Sequence, residues 1–194
     1  MSIGDSTLER TINSNFRDLA KFFETVGKLK RTPRSGWVEV GIRKPESVAD
    51  HTFRTSVLCM VYSNLERLDE LKLIRMALIH DLPEAIIGDL TPSRKTTKSK
   101  EEENDAMNQI LSLLPKDQRE KYMTDWNEYQ EGRTREAKAV RQLEKLEMAL
   151  QAKEYEEAGL TRQSLKRFMK SAEESIVWPQ LRNLLSYILE ERQQ

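Results

Sequence analysis

The chain contains two histidines, His51 and His80, and both stand where metal chemistry is possible. His80 is followed at once by Asp81, at the end of an apolar run formed by Leu71, Leu73, Ile74, Met76, Ala77, Leu78 and Ile79. An ionised carboxylate delivered into such surroundings is costly unless it is paired, hydrogen-bonded or coordinating. Glu84 lies four residues after His80, nearly on the same face if the helix continues, and Pro83 bends that turn. Gly88 permits a sharp exit and Asp89 follows it. Three carboxylates and an imidazole thus crowd into ten residues. A divalent ion would supply the missing positive charge, and mixed nitrogen and oxygen ligands suit Mn, Fe, Co or Mg better than structural zinc. The plain alternative is two ordinary core or surface histidines, and a His-Asp pair alone is unspecific. The association of both histidines with the ends of apolar helices favours the ion.

Elements that position these residues can be read from the breakers. Gly27, Pro33, Gly36, Gly41 and Pro45 crowd one stretch, and Pro83, Gly88 and Pro92 a second. Leu8, Ile12, Phe16, Leu19, Phe22 or Phe23, and Val26 recur at helical spacing in a first helix. Ser47 with Asp50 reads as a capping box that opens a second helix running to about residue 65. Further helices are expected over about 69–80, from Ser99 (with Glu102 as box partner) to Pro115, and over 117–130, 134–158 and 179–191. The expectation is an all-α bundle of about seven helices. One domain over 1–194 is expected, with a motif-bearing core at about 20–157 and C-terminal helices at 160–192 packing on it.

Composition narrows the setting. Thirty-two basic residues balance thirty-two acidic ones, which argues against coating nucleic acid or anionic lipid. Cys59 has no second cysteine to pair with and lies on an apolar helix, so a reducing compartment and an inert thiol are expected. No apolar run reaches the ~18 residues of a membrane span, and MSIGDSTLER reads as no secretory signal. A cytoplasmic protein is the expectation. Walker-type, G-x-S-x-G and C-x-x-C patterns do not occur.

His51, then His80-Asp81, then a distal acid is an order of residues that resembles the HD-domain metal-dependent phosphohydrolases. The stretches 26–37 (VGKLKRTPRSGW), 45–51 (PESVADH), 77–84 (ALIHDLPE), 88–90 (GDL) and 147–155 (EMALQAKEY) are similar, as a set, to its 5′-deoxynucleotidase branch. The resemblance implies an all-α HD fold, a divalent ion, hydrolysis of deoxynucleoside 5′-monophosphates to nucleoside and phosphate, and commonly a homodimer. It implies no nucleic acid polymer or membrane as partner. Carried over by position, His51, His80 and Asp81 would hold the main ion, while Glu84 would orient or deprotonate the attacking water with help from Asp89. Glu84, Asp89 and Leu90 are the positions that some relatives assign to a second ion. The fourth ligand is where the sequence departs: the family pattern has Asp, and this chain has Glu144. The added methylene is open to three outcomes: a small helix shift, another binding mode, or a weakened site.

Such residue types suit phosphate monoester hydrolysis, in which an ion activates water and neutralises the phosphoryl oxygens while a carboxylate takes the proton. Between Lys28 and Lys44 the charges are Lys28, Lys30, Arg31, Arg34, Arg43 and Lys44 against Glu39 alone. This reads as a solvated loop or as a phosphate grip, and the resemblance places Arg31 beside the substrate phosphate, with Arg34 and Trp37 as further substrate-binding positions. For Trp37 two roles stand open, stacking on a base or plugging the loop onto the core, with the plug favoured. Ser93 to Lys100 carries four positive charges and reads as a linker or a phosphate-attracting flap. Trp126, Tyr129 and Trp178 read as core or interface filler. Two other readings stand beside the monophosphatase: another HD phosphohydrolase acting on phosphodiesters or nucleoside triphosphates, and a metal-impaired helical scaffold.

Overall fold

The computed structural model describes residues 3–94 and 96–190, with side chains from residue 15 onward. Leu8 and Ile12 of the expected first-helix stripe, and Lys95 of the basic 93–100 segment, lie outside the described side chains. In chain order the elements are α1 (Ile3–Val26), a 3-10 helix (Gly27–Arg31), α2 (Ser35–Glu39), α3 (Val48–Glu66), α4 (Glu70–Ile79) and α5 (Glu84–Ile87). Then follow α6 (Ser99–Leu111), α7 (Lys116–Glu131), α8 (Arg135–Glu157), α9 (Arg162–Ser175) and α10 (Pro179–Glu190). No strand occurs among the described residues, and one isolated antiparallel bridge joins Pro33 to Ser47. The all-α expectation holds.

The helix set is richer than the sequence reading. Eight of the helices have ten residues or more, against about seven expected. The added one is α9, whose Leu165, Phe168, Met169 and Ala172 are buried while charged residues occupy the rest of it. Ser47 and Asp50 form the expected capping box, side chain to backbone in both directions. The box expected at Ser99 does not form: Lys98 is the N-cap without a side-chain bond, and Ser99 instead accepts from the Thr96 backbone N–H at 2.9 Å. α6 therefore ends at Leu111, and Pro115 caps α7 rather than closing α6.

Two apolar cores flank the region of interest. One joins Trp37 of α2 to α3, α4 and α8, and then to Leu165 and Ile176 and to Leu181 and Leu185. The other gathers Leu29, Val48, Ile79, Leu82, Met107, Ile110 and Trp126. Leu19, Phe22 and Val26 of α1 pack on this second core, while Phe16 and Phe23 are exposed. α4 packs on α3, α7 and α8, and so is central as its sequence suggests, yet Leu71 and Leu78 remain exposed.

α3 is built inside out. Between Val48 and Tyr62 its buried face is mostly small or polar, with His51, Thr52, Thr55, Ser56 and Cys59, and Ser63 follows. Its exposed face carries Phe53, Val57, Met60, Val61 and Leu65, spaced to form one stripe along the helix. The polar face is what lets α3 lie close against α4 and α8 and still bring an imidazole inward.

Candidate active site

Three elements converge on Asp81. His51 comes from the second turn of α3, His80 caps the C-terminus of α4, and Arg34 is delivered by the extended segment after the 3-10 helix. The Pro33–Ser47 bridge fixes that segment to the start of α3, through Arg34 N–H to the Glu46 carbonyl at 3.0 Å and Val48 N–H to the Thr32 carbonyl at 2.9 Å. Asp81 Oδ2 lies 3.1 Å from His80 Nε2, 3.9 Å from His51 Nε2 and 3.4 Å from Arg34 Nη1. The two imidazole centroids are 5.5 Å apart. Burial alone would raise Asp81, but His80, Arg34 and His51 outweigh it and hold the carboxyl well below the usual range.

The tautomers suit an ion. His80 Nδ1 donates to the Ala77 carbonyl at 2.6 Å, leaving Nε2 buried, aimed at Asp81 and without a hydrogen bond. His51 Nδ1 meets Glu147 Oε2, so Nε2 is the nitrogen presented to Asp81. Burial, together with Arg34 and His80, keeps His51 neutral, the form in which imidazole is a ligand. Burial pulls His80 down as well, yet Asp81 and Glu144 overcome it and raise its value to about 9. A proton retained against burial marks a place that wants positive charge. One ligand atom each from His51, His80 and Asp81 lie within 4.8 Å of one another, and Glu144 Oε2 is 3.8 Å from His80 Nε2. These four side chains could hold a divalent cation.

Around them lies a cavity of about 440 Å³, within the ~300–1,000 Å³ of small-molecule sites. Every site residue named from the sequence lines it except Arg31. Arg31 ends the 3-10 helix and is exposed, because the chain straightens at Thr32 and turns Arg34 inward instead. Gly88, at φ +77°, turns the chain after α5 so that Asp89 faces back. Asp89 then accepts from the Ser35 backbone N–H at 2.5 Å and lies 3.5 Å from Arg34. Glu84 Oε2 is buried without a partner, and burial plus the charges of Asp81 and Asp89 push its carboxyl well above the ordinary range. In the metal-free chain such a carboxyl holds its proton, and a cation at the neighbouring cluster would favour the charged form that accepts one from water.

Several residues here carried no signal in the sequence reading. Tyr129 of α7 is not filler: it lines the cavity and donates its hydroxyl to Glu144 Oε2 at 2.8 Å. Burial and the nearby carboxylates keep it a phenol. Arg54 donates to Glu147 Oε1 from Nε at 3.0 Å and from Nη2 at 2.8 Å, and to Gln151 at 2.7 Å. Phe168 of α9 packs on Trp37 with centroids 3.9 Å apart, and Arg167 ties α9 to the Gly36 carbonyl and to Glu39. Trp37 itself is 2% exposed and donates to Glu46 at 2.8 Å, the geometry of a plug. Gly36 lets the ring approach closely, since a Cβ would lie 3.0 Å from Phe168 and the ring would have to give by a few tenths of an ångström.

With the geometry in view, comparison with known proteins is informative. The family model for the HD domain matches residues 26–182. The human protein 5′-deoxynucleotidase HDDC2 is 40% identical over 178 residues, covering 91% of this chain and 87% of that one. The fission yeast 5′-deoxynucleotidase hdd1 (Schizosaccharomyces pombe) is 34% identical over 182 residues and 91% of each chain. Among solved structures, a conserved hypothetical protein from Pyrococcus furiosus superposes with a TM-score of 0.70 at 34% identity, covering 90% of this chain and 98% of that one.

Behind His51 the carboxyls of Glu46 and Glu147 are close. Burial raises both, Glu147 to about 7 against the pull of Arg54, and Glu46 to about 8, where the charge of Glu147 adds to burial. The folded chain therefore keeps a proton on Glu46 that the unfolded chain releases near 4.5. Stability of the metal-free protein should fall as pH rises from about 5 to about 8, since the folded state there binds more protons. Glu46→Gln should make that fall shallower, as measured by urea unfolding at a series of pH values. Equal slopes in the two proteins would place the proton elsewhere.

Proposed function

Because this chain belongs to the HD-domain family, whose members are metal-dependent, we propose that its cavity hydrolyses deoxynucleoside 5′-monophosphates to nucleoside and phosphate. The observation that carries this reading is the convergence of His51 from α3 with His80 and Asp81 at the end of α4, with Glu144 of α8 beside His80, in the lining of a nucleotide-sized cavity. In this reading those four side chains hold a divalent ion, with Mn, Co, Mg or Fe as candidates. When bound, the ion supplies Lewis acidity to the phosphoryl oxygens and to the attacking water. Glu84 takes the water's proton, and Asp89, anchored on the Ser35 backbone, keeps Arg34 turned towards the phosphate. Glu84, Asp89 and the Leu90 carbonyl are the places for a second ion. Arg34 binds the phosphate with its planar fork. Arg31, exposed and outside the cavity lining, adds long-range attraction only.

The same reading includes a homodimer in the cytoplasm. Its support is the apolar stripe of α3, where Phe53 is 71% and Val61 57% exposed, a face that a second copy of the chain would cover. A single, buried thiol at Cys59 suits a reducing compartment. No described helix is long and apolar enough to cross a membrane.

The chain should release phosphate from deoxynucleoside 5′-monophosphates when Mn or Co is supplied and not in excess chelator. Glu84→Gln should lower kcat by roughly 100-fold or more while leaving KM within a few-fold. Chelator-resistant phosphate release, or an unimpaired Glu84→Gln enzyme, would contradict the reading. Arg34→Ala should raise KM about 10- to 100-fold, since a charge-assisted hydrogen bond is lost, whereas Arg31→Ala should change it by only a few-fold. Equal effects of the two would return the phosphate grip to the whole basic loop. Sedimentation should show a dimer that Val61→Asp converts to a folded, monomeric chain. A monomeric native protein would leave the stripe without a second copy.

A further inference from the structure

Among the described residues three lysine and arginine side chains line the cavity, and two are held by well-formed partners. Arg34 faces Asp81 and Asp89, and Arg167 is bonded to the Gly36 carbonyl and Glu39. The third, Lys145 of α8, lies against Glu144 Oε1 at 3.2 Å. Residues one apart on a helix do not face each other, so this pair exists only because the lysine stem folds back along the cavity side of α8. The other carboxylate oxygen, Oε2, is the one that accepts from Tyr129 and looks towards His80. Glu144 therefore has an inner oxygen on the ligand cluster and an outer oxygen neutralised by an ammonium that is one-third exposed.

Resting on the hydrolytic reading above, we propose that Lys145 is a further substrate-binding residue, an ammonium that leaves Glu144 for the phosphate group of the incoming nucleotide. A divalent charge beside His80 would draw on the same carboxylate and repel the ammonium, which then lacks a full partner. Lysine is a compact point charge on a flexible four-carbon stem, so the same ammonium can reach either partner. A phosphate dianion at the ligand cluster would then meet Arg34 on the Asp81–Asp89 side and Lys145 on the Glu144 side. No bond is made or broken by this exchange; one ion pair replaces another.

The test uses the Mn-loaded native protein, Lys145→Gln and Lys145→Arg, with inorganic phosphate, a deoxynucleoside 5′-monophosphate and its neutral deoxynucleoside as probes. Lys145→Gln should weaken inorganic phosphate binding and raise the nucleotide KM by about 10- to 100-fold, with kcat within a few-fold. Deoxynucleoside binding should be unchanged within about twofold, and Lys145→Arg should keep most of the phosphate affinity. Mn affinity, measured by titration without substrate, should be unchanged or tighter in Lys145→Gln, because Glu144 loses a competitor. Undiminished phosphate binding by an active Lys145→Gln protein overturns the proposal. So does a loss of Mn affinity that tracks the loss of phosphate, since Lys145 would then act by orienting Glu144. Native protein that releases no phosphate from nucleotides under any metal overturns instead the reading on which the proposal rests.

Discussion

Holding Asp81 charged in a recess that leaves its side chain 15% exposed is the constraint on which the site depends. A buried carboxylate left alone would take a proton or unfold its surroundings, and only close, well-placed positive partners prevent that. Those partners come from three places in the chain, His51 on α3, His80 at the end of α4 and Arg34 on the segment before α2. Coulomb attraction at these distances decays steeply once water enters between the groups, so all three backbones must be fixed to within an ångström or so. This accounts for the bridge between Pro33 and Ser47, the capped start of α3 and the close packing of α3 on α4. The same arrangement turns His80 Nε2 onto Asp81 and raises its hold on a proton, the mark of a cluster short of positive charge and so of a place that would grip a cation.

Much of this was legible in the sequence, because buried charge leaves a local trace. His80-Asp81 after an apolar run, Glu84 one turn on and Gly88-Asp89 beyond it are contiguous, and contiguous residues can be read together. The Ser47–Asp50 box was equally local and formed as expected. What escaped was information that lies in tertiary packing. Arg31 and Arg34 are indistinguishable as charges in a basic loop, and only the end of the 3-10 helix decides which of them turns inward. Tyr129 stands 15 residues from Glu144 on another helix, and nothing in the local pattern of α7 marks its hydroxyl as the partner of a buried carboxylate. At Ser99 the competing local bond to the Thr96 N–H displaced the cap, a choice that pattern alone does not make. In α9 the buried Leu165, Phe168, Met169 and Ala172 do follow helical spacing, but the stripe is narrow among so many polar residues and shows its use only where α8 receives it.

Behind the cluster, α8 does two jobs with one face. Glu144 and Glu147 are three apart and so project together, the first towards His80 and the second towards His51 Nδ1. Arg54 grips Glu147 with two nitrogens, and Gln151 one turn later accepts from the same guanidinium. At the other end, the buried Gln142 side chain accepts from the backbone N–H groups of Val177 and Trp178, fixing α8 to the start of α10. The helix is thereby pinned along its length.

That pinning decides how this chain accommodates glutamate at position 144, where the resemblance drawn from the sequence leads one to expect aspartate. Sliding or rotating α8 to withdraw the extra methylene would carry Glu147 away from His51 and leave a buried carboxylate and a buried imidazole without each other, at a cost of several kcal/mol. Glu147 is fully buried and His51 is 1% exposed, so water cannot take over for either. The adjustment must therefore be made in the Glu144 side chain, not in the helix. Tyr129 performs it by holding Oε2 on the His80 side, so the longer chain is turned rather than thrust into the cluster. The carboxylate reaches the neighbourhood of His80 in an orientation that the Tyr129 hydroxyl holds from another helix, while the α8 backbone stays where His51 needs it.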